Sequence, residues 1–99
     1  MNKIECVNAV LDGKKGDWIP AGFWYHYDHT LNTYSIAQSH LRTFRETGVD
    51  VYKVMQDYVQ PIDVAVKTPS DWDKVSLPGT SSPVFQRLLD VVKMILDAT

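Results

Sequence analysis

Hydrophobic residues recur every three or four positions in three stretches of the chain, and this spacing predicts three helices. The apolar positions of the first stretch are Ile4, Val7, Val10 and Leu11. Those of the second are Tyr34, Ala37, Leu41 and Phe44, and those of the third are Phe85, Leu88, Leu89, Val92, Ile95 and Leu96. Each set falls on one face of a helix, so each predicted helix should bury that face against the rest of the protein.

The residues at the ends of these stretches are of the kinds that start and stop helices. Asn2 can cap the first helix, and Gly48 can end the second. Ser82 can cap the third, with Pro83 in the first helical position, where its missing N–H costs nothing.

Two apolar runs between the helices predict β-strands. Residues 21–25 are mostly aromatic and suit a buried strand, and residues 49–55 are rich in valine. The stretch 60–79 contains three prolines and is expected to be an excursion, with a short strand at 64–66 and one helical turn around 71–75.

The predicted order is therefore helix, strand, helix, strand, excursion, helix. Strands that alternate with helices of this length predict an α/β fold with parallel pairing. Two strands cannot make a stable parallel sheet alone, because such a sheet needs both faces covered. The apolar stripe of the last helix also runs almost to Thr99 without a stop signal. We therefore expect residues 1–99 to be a single fragment-sized domain.

Composition and charge narrow the classes of function. The chain has 44% hydrophobic residues and a net charge of −2 with no basic cluster, so nucleic-acid binding is not expected. It has one cysteine, Cys6, which excludes an internal disulfide and suits a reducing cytoplasm. The N-terminus lacks the apolar core of a signal peptide, and no apolar run could span a bilayer. A cytoplasmic protein without a membrane partner is expected.

Two stretches of the chain carry a family resemblance: residues 17–27 read DWIPAGFWYHY, and residues 40–57 read HLRTFRETGVDVYKVMQD. They resemble the start of the uroporphyrinogen decarboxylase superfamily, which also contains corrinoid-dependent methyltransferases such as those acting on coenzyme M. Together with the opening helix, the resemblance covers nearly all of this chain but only about the first third of the family's barrel. It implies the N-terminal βα units of a (β/α)8 TIM barrel, incomplete in this chain.

The resemblance also implies a catalytic residue. Family decarboxylases end their second strand in a Leu-Asp…Ser-Asp pattern, and Val49-Asp50…Gln56-Asp57 is similar to it. Asp57 then stands at the catalytic position, where the carboxylate accepts hydrogen bonds from pyrrole N–H groups and stabilises positive charge on the ring during decarboxylation. In that family no metal or cofactor takes part. Lys53 shares a strand face with Asp57, so it either pairs with Asp57 or is exposed to solvent.

One departure from the family pattern bears on the substrate. Decarboxylases of the strict type carry an Arg-Gln-Ala-Gly-Arg motif after the first strand, whose arginines hold the substrate's carboxylates. The matching stretch here, residues 25–29, has no arginine. His26, Tyr27 and His29, with Lys53, are the candidate substrate-binding residues. Their aromatic and imidazole character suits the methyltransferase-like branch, whose zinc ligands lie in a later region.

Two other interpretations stay open. His26, Asp28 and His29 carry side chains that can ligate zinc, although no cysteine pair and no H-E-x-x-H motif accompanies them. The chain could instead be non-catalytic and inactive on its own, with the stripe of Phe85, Leu89, Val92 and Leu96 buried in a homo-oligomer.

Overall fold

A computed structural model of the chain describes residues 1–58 and 62–99. The elements in this part of the chain are α1 (Lys3–Leu11), β1 (Gly22–Phe23), α2 (Thr33–Thr47), β2 (Val51–Tyr52), a 3₁₀ helix (Pro69–Lys74) and α3 (Pro83–Asp97). The predicted order of helices and strands is confirmed. Within the described ranges, no helix is both long enough and apolar enough to cross a membrane.

The helix ends follow local hydrogen bonding. The Asn2 side chain accepts from the Glu5 N–H at 2.9 Å, and the Glu5 carboxylate accepts from the Asn2 N–H at 2.8 Å. Asn32 caps α2, and Gly48 ends it in the left-handed region with φ at 63°. Ser82 stands at the start of α3, but its side chain makes no capping hydrogen bond, so the predicted cap is wrong in that respect.

The strands that precede and follow α2 in the sequence pair with each other in parallel, as predicted. Gly22 lies opposite Val51, and Phe23 lies opposite Tyr52. Both strands are shorter than the runs at 21–25 and 49–55 that predicted them. The expectation of a buried first strand is wrong: Phe23 and Trp24 are each 60% exposed, because the described chain covers this part of the sheet only in part.

Asp50 joins the beginnings of the two strands. Its carboxylate accepts from the Ala21 N–H at 3.0 Å and from the Trp18 indole N–H at 2.7 Å. Its own N–H donates to the Ala21 carbonyl at 2.9 Å. The hydrogen bonds from Ala21 and then Trp18 hold the pKa of Asp50 below its usual value, so the carboxylate is an ionised acceptor.

The core lies between α2 and α3. Ile36, Ala37 and Val91 are buried together, and Val54, Tyr58 and Ile95 pack against them. Tyr34 was expected in the buried face of α2, but it is 63% exposed at the margin of that face.

The apolar stripe of α3 is only partly covered. Val91, which the predicted stripe omitted, is 1% exposed and faces α2. Phe85, Leu89 and Leu96 belong to the predicted stripe but are 38%, 51% and 67% exposed. The stripe is therefore wider than the surface that α2 offers.

Helix α1 is attached through few contacts. Cys6 is fully buried, and its thiol donates to the Trp18 carbonyl at 3.4 Å. The Lys3 ammonium donates to two carbonyl groups just after the end of α2, at 2.7 and 3.1 Å. Ile4 and Leu11 are 74% and 78% exposed, so the predicted burial of their face is wrong.

The excursion differs from its prediction in one element. Residues 64–66 form no strand, because no strand of the described chain pairs with them. The 3₁₀ helix occurs close to the predicted turn, where the Asp71 carboxylate accepts from the Lys67 and Thr68 N–H groups, each at 2.9 Å. The start of the excursion, up to residue 61, lies outside the described residues.

A substitution at Gly22 tests how closely the two strands approach each other. A Cβ atom at this position would lie 2.6 Å from the Val51 carbonyl oxygen. We expect Gly22→Ala to lower the free energy of unfolding by about 1–3 kcal/mol, since backbone atoms must shift to relieve the overlap. Urea denaturation measures this change. Gly79→Ala is the control, because its nearest contact is Ser81 Oγ at 3.8 Å. Equal stability of the two variants would contradict the close approach.

Candidate functional site

The chain segments that leave the carboxyl ends of β1 and β2 meet at Asp57. The Asp57 carboxylate lies 2.6 Å from His26 Nδ1 and accepts from the Tyr27 N–H at 2.9 Å. The Asp57 side chain is 12% exposed, whereas that of His26 is 66% exposed. The structure thus brings together three of the predicted site residues, with the carboxylate inside and the imidazole at the surface.

The surroundings of Asp57 favour its ionised form. Burial by itself would raise the pKa of this carboxyl group. The hydrogen bonds from His26 and from the Tyr27 N–H outweigh burial, and the pKa lies below its ordinary value. This interaction stabilises the fold at neutral pH, and the stabilisation is lost as the pH falls below about 3.9, the ordinary value of an aspartate.

A partly buried hydrogen-bond network continues inward from Tyr27 to the buried His40. The Tyr27 hydroxyl donates to Thr43 Oγ1, which donates in turn to the Ser39 carbonyl at 3.0 Å. The hydroxyl oxygens of Tyr27 and Tyr52 are 2.9 Å apart, and the Tyr52 hydroxyl lies 3.0 Å from His40 Nδ1. The network links the loop after β1, strand β2 and helix α2.

The number of protons in this network fixes the tautomer of His40. The Tyr27 hydroxyl donates its hydrogen to Thr43 Oγ1. In the hydrogen bond between the two tyrosines, Tyr52 must therefore be the donor and Tyr27 the acceptor. His40 Nδ1 must then carry a hydrogen and donate it to Tyr52. His40 Nε2 is left as a bare acceptor, and it has no hydrogen-bond partner among the described residues.

Burial keeps the network neutral. His40 is 0% exposed, and burial lowers its pKa, although the charge of Asp57 opposes this effect. Burial, together with the neighbouring Tyr27 hydroxyl, raises the pKa of Tyr52. Both groups are therefore uncharged at neutral pH, which avoids the large cost of an unpaired charge in the interior.

Aromatic packing surrounds the same groups. The rings of Tyr27 and His40 meet edge to face with centroids 4.5 Å apart, and Tyr25 stacks on Tyr52 at 6.4 Å. Phe44 approaches Tyr52 edge-on at 5.8 Å. These contacts favour fixed ring orientations, so the hydroxyl and imidazole groups are held in place.

Lys53 lies apart from Asp57. Its ammonium is 5.7 Å from the centre of the Trp24 ring, and it makes no ion pair with Asp57. Of the two alternatives left by the sequence, the exposed one describes the structure. His26 is the group that pairs with Asp57, because the loop after β1 carries it across to the end of β2.

The structure does not assemble the possible metal site. The Asp28 carboxylate accepts from the Thr30 N–H at 2.9 Å and from the Thr30 hydroxyl at 2.6 Å. His26 is turned toward Asp57, and His29 is exposed, with its carbonyl accepting from Arg87 at 3.3 Å. Within residues 1–58 and 62–99, no three histidine, cysteine or acidic side chains are grouped to hold a metal ion.

A groove of about 290 Å³ lies beside the hydrogen-bond network, between α2, β2 and the end of α3. Its walls are mostly apolar and include Leu41, Phe44, Val54 and Ile95. Its polar lining comes from His40, Asp50, Tyr52 and Thr99. The groove places an apolar space beside hydrogen-bonding groups that are already fixed by the network.

The arrangement supports two kinds of chemistry. The ionised Asp57 carboxylate can stabilise a positive charge that develops beside it. The pairing with Asp57 orients the His26 ring, whose exposed remainder can exchange protons with a bound molecule.

His40, Tyr52 and Thr43 also belong to the site, although no motif in the sequence identifies them as site residues. A signal for His40 was present, because it follows Ile36 by four residues and Ala37 by three, in the middle of the apolar face of α2. Tyr52 lies in the predicted second strand, and no local pattern shows that its hydroxyl meets Tyr27.

The buried imidazole makes stability depend on pH. His40 takes up a proton more readily in the unfolded chain than in the folded one, so stability should fall as the pH drops below about 6.5. We expect the contribution of His40 to approach about 1.4 kcal/mol per pH unit for one proton. Urea denaturation between pH 8 and pH 5 measures the slope.

The matched variants are His40→Asn and His29→Asn. The first removes the buried imidazole while keeping an amide near Tyr52, so we expect a flatter slope even if overall stability is lower. The second removes an exposed imidazole and should keep the wild-type slope. A wild-type slope in His40→Asn would show that the buried imidazole is not the source.

The chain was compared with protein-family models, with curated proteins and with solved structures. None of the three comparisons found a match.

Proposed function

We propose that this chain provides the strand-end catalytic carboxylate of an enzyme similar to the uroporphyrinogen decarboxylases, with Asp57 in that role. The observation that carries the proposal is the environment of Asp57. The carboxylate follows the end of β2, is 12% exposed, and is kept ionised by His26 and the Tyr27 N–H. Enzymes with parallel barrels place their catalytic groups at this end of the strands.

The fold that goes with this function is the beginning of a (β/α)8 barrel. The parallel pair β1 and β2, with α2 between them in the chain, supports it as a single βαβ unit. The remaining strands and most of the substrate pocket would lie beyond these units. The proposed setting is the cytoplasm, in keeping with the single thiol of Cys6.

The proposed reaction is cofactor-free decarboxylation of the acetate side chains of a tetrapyrrole. Loss of carbon dioxide from an acetate arm requires an electron sink, which a protonated pyrrole ring supplies. A fixed carboxylate stabilises that cationic ring more than the neutral ground state, so the barrier falls. His26 would touch the substrate from the exposed side of the pair, since its ring is 66% exposed.

A second candidate is a relative of the corrinoid-dependent methyltransferases. The observation that favours it is the absence of arginine from residues 25–29, where the strict decarboxylases hold substrate carboxylates. Lys53 directly follows β2 and is the candidate cation of the site, but its ammonium lies over the Trp24 ring instead of near Asp57. A substrate with eight carboxylates needs several bidentate cations, and a corrinoid-linked methyl group does not.

Replacement of Asp57 tests the proposed role. In the protein that carries this sequence, we expect Asp57→Asn to lower turnover by about a hundredfold or more, because a preorganised charge is removed. Decarboxylation of uroporphyrinogen and methyl transfer from a methylcorrinoid should both be measured. The control is Asp63→Asn, whose carboxylate bonds the Ser76 N–H in the excursion.

The outcomes separate the candidates. Decarboxylation that depends on Asp57 supports the first, and methyl transfer that depends on Asp57 supports the second. Activity of the Asp57→Asn variant within about threefold of the wild type, or wild-type protein inactive in both assays, would contradict the role of Asp57.

A non-catalytic, homo-oligomeric protein is the third candidate, favoured by the exposed apolar residues of α3. In this candidate, the exposed apolar residues of α3 would form the contact between copies of the chain.

A further inference from the structure

Four apolar residues of α3 form a row that the described chain covers only in part: Phe85, Leu89, Val92 and Leu96. We refer to this row as the α3 seam. Phe85, Leu89 and Leu96 are 38%, 51% and 67% exposed, and Val92 is half-buried. The spacings of four, three and four residues are those of the d, a, d and a positions of a coiled coil.

The seam lies next to the row that forms the core. Val91 is buried against α2, and Ile95 packs on the same cluster. Val92 directly follows Val91, and Leu96 directly follows Ile95. The seam therefore lies on the side of α3 next to the one that forms the core. Helix α3 therefore has one apolar side already partnered and a second one that the described chain covers only in part.

We propose that the α3 seam binds the α3 seam of a second copy of this chain, with the two helices antiparallel. Antiparallel helices pair each a position with a d position of the other helix. In this chain Phe85 then meets Leu96 of the second copy, and Leu89 meets Val92. The symmetry repeats both pairs, so all four layers of the contact are filled by apolar side chains.

The charges beside the seam select the antiparallel arrangement. Asp90 and Lys93 are exposed and make no ion pair with any described residue. Antiparallel pairing brings Lys93 of each copy within reach of Asp90 of the other, which gives two ion pairs of opposite charge. Parallel pairing would place Lys93 beside Leu88 instead and leave both charges without partners.

The size of the seam sets the strength of binding. The helix has 15 residues and is about 22 Å long. Four side chains per copy cover less than the roughly 1,200 Å² of a stable interface, so we expect a dissociation constant between about 10 µM and 1 mM. This inference rests on the third candidate function, for which it names the partner and the contact, and it does not depend on either proposed reaction.

Sedimentation equilibrium of the 99-residue chain from about 10 µM to 1 mM tests the proposal. The wild type should shift from monomer to dimer across this range. Leu89→Glu should weaken the dimer at least about tenfold, since it buries a charge at the centre of the seam. Met94→Glu is the matched control, because Met94 is a 36% exposed apolar residue on another side of the same helix.

A charge exchange tests the orientation. Asp90→Lys and Lys93→Asp each place like charges together in the antiparallel dimer, and each should weaken it by up to about fivefold. The double variant restores opposite charges and should return to the wild-type dissociation constant. Circular dichroism checks that every variant keeps its helix content.

Three results would overturn the inference. The first is a wild-type chain that stays monomeric at about 1 mM. The second is a dimer that Leu89→Glu leaves intact or that Met94→Glu weakens equally. The third is a double charge variant that binds no better than the single variants, which would exclude the antiparallel arrangement.

Discussion

A parallel ladder of only two residues on each strand supplies too few backbone hydrogen bonds to hold two strands together, and this constraint shapes the rest of the structure. Side-chain hydrogen bonds hold the two strands together at both ends of the pair. Asp50 ties the start of β2 to the backbone before β1 and to the Trp18 indole. At the other end, Tyr52 meets Tyr27, and Asp57 receives the Tyr27 N–H.

The groups that hold the strand ends together are therefore also the groups of the candidate site. Tyr27 shows this most clearly, because its amide fixes Asp57 while its hydroxyl reaches Thr43 and Tyr52. An ionised carboxylate stays in a nearly closed space only because these donors are already in place. Substitutions in the site should accordingly affect stability and chemistry together, which makes matched controls outside the network necessary.

The sequence predicted the helices, their order and the parallel pairing, because these follow from local spacing and from end residues such as Asn2 and Gly48. The family resemblance singled out Asp57, His26 and Tyr27, which the structure brings together, and their catalytic and substrate-binding roles stay predictions. The sequence could not show that His26 instead of Lys53 reaches Asp57, since the path of the loop after β1 decides this contact. The exposure of Tyr34 and Leu89 could not be predicted either. Periodicity identifies the apolar face of a helix but does not show how much of that face another element covers.

The only cysteine has a consequence for observing the motions of the chain. Cys6 is fully buried beneath the Trp18 carbonyl, and α1 is attached to the rest of the structure by few contacts. A thiol reagent in solvent can reach the sulfur only when α1 and the loop around Trp18 move apart. The rate of labelling therefore reports the population of that locally opened state, separately from global unfolding. The chain thus carries a natural probe of how firmly its first helix is docked.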